Sequence, residues 1–382
     1  MHLSNHTRLV FATALLLAAA YWQASKEQRP SILTPGLRLY AYIGNTGDGT
    51  VTAVDLAGLQ AVATIPVGPA PSGLRAHPTR DEIWGVSSAG GYVWVIDTRA
   101  GAVAARIPVG AGAFGLDFSA DGKRAYVAAS GAGTVHALDC ESRRIIATAR
   151  PGREPWLVRL TPDGATLVVS LRGASSVALL DAATLREVQT IRVAPQPEQL
   201  LILPDGEKLF VSAAGSRQVS VVDLRRRVLL ANLALSARAT DFVFNSSDKK
   251  TEFYAITPEA HGMTVLDTWR NEVGDSRILG SAPTSGTYTP NGDLLFVADA
   301  DANLVRPVLA NFRQPLRPIP VGQRPVNVRL TDDERLLLVV NEASEDLTVI
   351  SGLAQALAQR QTPPFTLIPL GSRPRDLAIK LF

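Results

Sequence analysis

A short pattern, V-x-V-x-D, returns along this chain at a fixed interval, and that interval constrains the fold more than composition does. It occurs at Val51–Asp55, Val93–Asp97, Val135–Asp139, Val177–Asp181 and Val219–Asp223, with successive aspartates 42 residues apart. A sixth copy ends at Asp267, 44 residues on, and Ala310 and Ser351 hold the equivalent place in two degenerate copies. A second marker, I-P-V-G-x-x-P, is best preserved at Ile65–Pro71 and Ile319–Pro325. Its glycine position falls at 68, 110, 152, 194, 236, 280, 322 and 371, with Ala194 and Ser236 replacing Gly. The two markers count the same eight units independently. Self-similarity at this period means a unit that cannot bury its apolar faces alone and must stack on its neighbours.

Each unit reads as four strands joined by tight turns. In the third, β-rich runs at Ala125–Ser130, Val135–Leu138, Arg144–Ala149 and Trp156–Thr161 are separated by Gly131-Ala132-Gly133, Asp139–Ser142 and the G-x-x-P turn. Pro162-Asp163-Gly164 leads into the next unit, as do Ala120-Asp121-Gly122, Pro204-Asp205-Gly206 and Pro290-Asn291-Gly292 elsewhere. Asp and Asn side chains mimic turn geometry and Gly accepts a positive φ, so these residues act locally. Four-stranded units of this period predict an all-β chain folded as a single β-propeller.

The tetrapeptides Tyr42-Ile43-Gly44-Asn45 and Tyr126-Val127-Ala128-Ala129, followed by the V-x-V-x-D, I-P-V-G-x-x-P and P-D-G elements, resemble the repeat of YVTN-type β-propeller proteins. The resemblance spans residues 38–382. Its repeated residues are turn-makers and core, so it carries the fold rather than an activity. It implies that each P-D-G hairpin joins the innermost strand of a blade to the second. Arg38–Gly44 is then a second strand lacking an inner partner, and Arg375–Phe382 is an innermost strand with nothing after it. Pairing them closes the ring. Residues 39–382 divide into eight units of 43, so eight blades are expected, with seven, common among relatives, as the alternative.

Composition restricts chemistry further. A single cysteine, Cys140, excludes an internal disulfide, a Cys-rich zinc site and C-x-x-C-H haem attachment. Lys plus Arg number 38 against 35 Asp plus Glu, so the net charge is only +3 and no basic stripe is evident beyond Arg225-Arg226-Arg227. Residues 1–25 read as a signal peptide or N-terminal anchor, with Arg8 ahead of the apolar run Leu9–Trp22 and small residues at Ala18-Ala19-Ala20. Residues 26–37 read as a tether. The expected location is therefore periplasmic or secreted, or else membrane-anchored by this segment with the domain outside the cytoplasm.

Candidate ligand or partner residues cluster where the repeat stops repeating. Core positions should be alike from blade to blade, yet the two positions after the G-x-x-P turn vary in size and charge. They supply Phe114, Trp156, Glu198 and Arg375, then Asp241 and Asp376, with Arg153 and Arg324 in the preceding turns. Phe114 and Trp156, on adjacent blades, suggest an aromatic shelf. Two residues further on, Arg75, Asp117, Arg159 and Arg329 suggest a structural role, with Arg75, Asp117 and Arg159 paired around the ring, the alternative being an anion site lining the channel. Asp299, Asp301 and Asn303 form a D-x-D-x-N run without the Gly and distal Glu of a calcium loop. No G-x-S-x-G elbow or P-loop occurs. Catalytic, cofactor and metal residues are therefore not assigned, and no cofactor is expected.

The leading expectation is a non-catalytic binding or scaffolding module presenting a rim and channel mouth to a protein partner or small ligand. The alternative is a propeller enzyme, either a lactonase-like hydrolase or a quinoprotein dehydrogenase-type subunit. Nucleic-acid binding is the third reading. The eighth unit's extra segment, Ser351–Pro364 with the Ala- and Leu-rich Leu353–Gln359, is expected to form a short helix that either meets a partner or is a tolerated insertion.

Overall fold

The computed structural model describes residues 38–244 and 252–382. The expected signal and tether lie outside these residues. Eight antiparallel sheets follow one another around an axis, each a blade. Blade 2 shows the plan: Pro71–Ala76 lies innermost, followed outward by Glu82–Ser87, Tyr92–Asp97 and Ala102–Pro108. The innermost strands of blades 3 to 8 are Ala113–Phe118, Pro155–Leu160, Pro197–Ile202, Asp241–Phe244, Pro283–Tyr288 and Pro325–Leu330.

Blade 1 is made from both ends of the chain. Pro374–Leu381 is its innermost strand, hydrogen-bonded to Leu39–Asn45 with Leu39 opposite Leu381 and Ile43 opposite Leu377. Arg38 and Phe382 exchange backbone bonds at 2.8 and 3.0 Å beyond the last register pair. The closure expected from the repeat is therefore observed, with eight blades. Gly371 shows why this turn needs glycine. A Cβ there would lie 2.5 Å from Asp48 Oδ2 and 2.6 Å from Asn45 Nδ2, so a side chain would displace both, and with Asn45 its bonds to Thr50 and Thr52.

The second and third strands of each blade are covered on both faces, which is why they read as nearly continuous apolar runs. Glu82–Ser87 is buried along its whole length. The core consequently sits between blades. One cluster joins Trp84, Val86, Val93 and Val95 of blade 2 to Leu116, Ala125, Val127 and Leu138 of blade 3, and corresponding clusters fill the other interfaces. Outer strands are half exposed, as Gln60–Pro66 illustrates.

The hairpins form as their composition dictates. Thr161 Oγ1 donates to Asp163 Oδ1 at 2.6 Å, Ala165 N donates to the same oxygen at 3.0 Å, and Gly164 turns with φ +70°. Ser119 with Asp121, Thr289 with Asn291 and Thr331 with Asp333 repeat the arrangement.

The insertion in blade 8 is helical over Leu353–Gln359, as expected, but it offers no apolar face to a partner. Leu353, Ala354 and Leu357 pack against Phe296, Leu309 and Leu316 of blade 7. Pro307 in the third strand of that blade cannot donate to an outer neighbour. The outer strand splits into Gln314–Pro315 and Ile319–Pro320, and the helix covers the break. Among the described residues no helix is long and apolar enough to cross a membrane.

Candidate functional site

The eight innermost strands enclose a cavity of about 700 Å³ on the axis. Arg75, Arg159 and Arg329 line it, each the fifth residue of its strand, on blades 2, 4 and 8. In an eight-bladed ring alternate blades stand about 90° apart. Arg159 and Arg329 therefore face each other across the axis, with Arg75 halfway between. Asp241 of blade 6 occupies the fourth direction, two positions earlier in the repeat, beside Gln199, Ser285, Asn327 and Asp376 of the same level.

The three guanidinium groups make no ion pair among the described residues. Arg75 Nε reaches the Leu116 carbonyl at 3.4 Å and one Arg159 terminal nitrogen donates to the Val158 carbonyl at 2.9 Å. This corrects the expectation that Arg75, Asp117 and Arg159 pair around the ring. Asp117 Oδ2 instead accepts from Leu160 N at 2.9 Å, a backbone donor that the innermost strand of the next blade leaves free. Burial, reinforced by repulsion from Arg75, pushes the Arg159 guanidinium down to about 10.

The acids of the cavity are displaced in the opposite direction. Burial raises Asp241 from 3.8 to about 6, although Arg329, the Phe242 backbone amide and Arg159 all pull it down. Asp376 is also raised by burial, against the Gly73 amide that its Oδ2 accepts at 2.6 Å. Asn327 donates to the Arg375 carbonyl at 3.2 Å, while its Oδ1 is buried without a donor.

Of the eight residues picked from the sequence, Phe114, Asp241 and Asp376 line the cavity. The others lie on its rim. Trp156 stacks on Phe114 with ring centroids 3.9 Å apart, and the Arg172 guanidinium covers it at 4.3 Å. Arg172 also pairs with Glu198 at 3.3 Å. The aromatic shelf thus exists, but Trp156 is sandwiched rather than open. Arg324 and Arg375 each reach a carboxylate oxygen of Glu342 at 2.8 Å. Arg153 is exposed. Sequence reading favoured a structural role for Arg75, Arg159 and Arg329 over an anion site lining the channel, and so left them out of the candidate site residues. Their signal was a charge recurring at one repeat position on alternate blades.

Other reactive groups are accounted for structurally. His77 bonds the Gly122 carbonyl and packs on Phe118 and Trp84, and His136 lies between Thr134, Thr148 and the Val109 carbonyl. Burial lowers both imidazoles. Cys140 is buried and pushed up to about 12, far from a reactive thiolate. Asp299 is fully buried against Arg306 and the Ser281 and Ala282 amides, which leaves no calcium loop at Asp299–Asn303. No group of three potential metal ligands occurs among the described residues. Arg225, in the one basic run, is tied to Glu207 at 2.8 Å.

Residues 92–237, less than half of the chain, match the family model described as "Lactonase, 7-bladed beta-propeller". The match ends before the ring closes and so carries no blade count. A solved structure of dihydro-heme d1 dehydrogenase NirN in complex with DHE superposes with a TM-score of 0.75 at 17% identity, covering 88% of this chain and 74% of that one. Kuenenia stuttgartiensis hydrazine synthase gives 0.59 at 18% identity, covering 74% and 96%. At these identities the likeness is one of fold. No curated protein matches by sequence.

Proposed function

We propose that this β-propeller is a hydrolase that opens a cyclic ester in its axial cavity, with Asp241 as general base. The observation that carries the reading is a carboxylate held near 6 inside a concave site and flanked by Arg159 and Arg329. At neutral pH most of Asp241 is ionised. It removes a proton from water as the water oxygen adds to the ester carbonyl carbon, and an arginine steadies the oxyanion. Collapse breaks the ring C–O bond. Asp241 then returns the proton to the departing alkoxide, leaving a hydroxy acid and an unchanged enzyme. The match over residues 92–237 supports this over a non-catalytic scaffold. So does the rim, where Glu198, Arg324 and Arg375 are engaged with partners of the same chain.

Proton release from a panel of lactones, followed by titration at constant pH, tests the reading. Asp241→Asn is expected to lower the rate by about 10²- to 10⁴-fold. The wild-type rate should fall as pH drops through 6. A variant as fast as wild type, or a wild type inert on every lactone, sinks it.

The chain fits a YVTN-type protein acting outside the cytoplasm, with residues 1–25 directing export and 26–37 as tether. The apolar run Leu9–Trp22 supports this. The protein recovered from its own host should have an intact mass that lacks the signal. A full-length mass in the cytoplasmic fraction contradicts export.

A further inference from the structure

We propose that the axial cavity takes a compact ligand bearing two or more carboxylate groups, held by Arg159 and Arg329 from opposite sides of the axis with Arg75 between them. This rests on the reading of the axial cavity as the site and names the chemistry that fills it.

The channel carries more arginine hydrogen-bond donors than its own acceptors use. Three guanidinium groups share one level of a channel, and no carboxylate pairs with any of them among the described residues. Each guanidinium has five N–H donors, and the backbone carbonyls named above use at most one on Arg75 and one on Arg159. Arg329 has no protein acceptor among the described residues. Among the charges acting on Arg159 the repulsion from Arg75 is the largest, ahead of the attraction of Asp117 and of Asp241, and an anion bound between the forks relieves it. Asp117, between Arg75 and Arg159 in the ring, attracts Arg159 but spends its hydrogen bond on the Leu160 amide rather than on a guanidinium. Asp241 and Asp376 lie a level away and attract Arg159, Arg329 and Arg75 through space, but neither makes an ion pair with a guanidinium among the described residues, so the N–H donors of the forks stay open.

Geometry then selects the ligand. Arginine forks recognise planar carboxylates bidentately. Guanidinium groups facing each other across an axis suit a molecule with anionic groups at both ends. A single carboxylate satisfies one of them and leaves the other facing its own repulsion. A volume of about 700 Å³ is within the usual range of small-ligand sites. Asp241, in the direction opposite Arg75, is placed to accept a hydrogen bond from a hydroxyl on the ligand.

Calorimetry of the full-length protein at pH 7.5 and constant ionic strength tests this with citrate, succinate, acetate, inorganic phosphate and neutral dimethyl succinate. Citrate and succinate are expected to bind, and each to bind at least about tenfold more tightly than acetate, phosphate or the diester. Arg159→Gln and Arg329→Gln should each weaken citrate binding about tenfold or more, with a ligand-free melting temperature no lower than that of wild type. Arg159→Lys, which keeps the charge and loses the fork, should recover only part of the loss. Arg225→Gln, outside the cavity, should bind as wild type does. Equal affinity for phosphate, or citrate binding indifferent to both Gln variants, overturns the proposal. Citrate binding without any lactone hydrolysis removes the hydrolase reading alone. Asp241-dependent hydrolysis with no citrate or succinate binding removes this proposal alone.

Discussion

Asp241 illustrates how a single side chain can be costly to the fold and useful to the site. Its carboxyl titrates near 6 in the folded chain and near 3.8 when unperturbed, because burial outweighs the two nearby arginines. Between those values the native state binds more protons than the unfolded one, so this group's contribution is present below about pH 4 and lost as pH rises through 6. The difference at neutral pH is on the order of 3 kcal/mol. His77 and His136 act in the opposite sense. Burial lowers them, so their contribution is present above 6.5 and lost on acidification. Comparing Asp241→Asn with wild type cancels the histidines. The variant is expected to melt higher at pH 7 to 8, with the gap closing toward pH 4. Thermal denaturation across that range checks it, and a gap that widens in acid refutes it.

At the scale of elements, turn chemistry was the most legible part of the chain. Thr161-Pro162-Asp163-Gly164 forms a hairpin from its own hydrogen bonds, so each such segment announces a strand end wherever it occurs. The rim was half legible. Its variable positions did mark the surface facing the channel, yet Arg324 and Arg375 turned out to share Glu342 from a loop that the repeat does not highlight. The pairing expected of the channel arginines fails for a related reason. Arg75, Asp117 and Arg159 are complementary at a spacing of 42, but a backbone amide claims Asp117 first, and no pattern of residue types ranks those two partners. The broken outer strand of blade 7 was not foreseen either. Pro307 interrupts the ladder, and the helix that repairs the gap lies some 50 residues further on, in the next blade.

The ring as a whole depends on the pairing of Leu39–Asn45 with Pro374–Leu381. Removing residues 375–382 exposes a strand edge and opens blade 1. The shortened chain is expected to unfold at lower urea and to self-associate at concentrations where the full chain stays monodisperse. Urea titration and size-exclusion chromatography test this. Identical midpoints and elution would mean that the clasp contributes nothing.

That same clasp also walls the cavity. The innermost strand of blade 1 brings Asp376 to the Gly73 amide, so one wall of the channel is supplied by the closing strand. Arg329 comes from blade 8 and Arg159 from blade 4, on arcs that the closing strand locks together. A ligand spanning the axis would therefore act as a hub for the wheel. Its binding energy would oppose the parting of the two termini, and occupancy would be coupled to how tightly the rim is held shut.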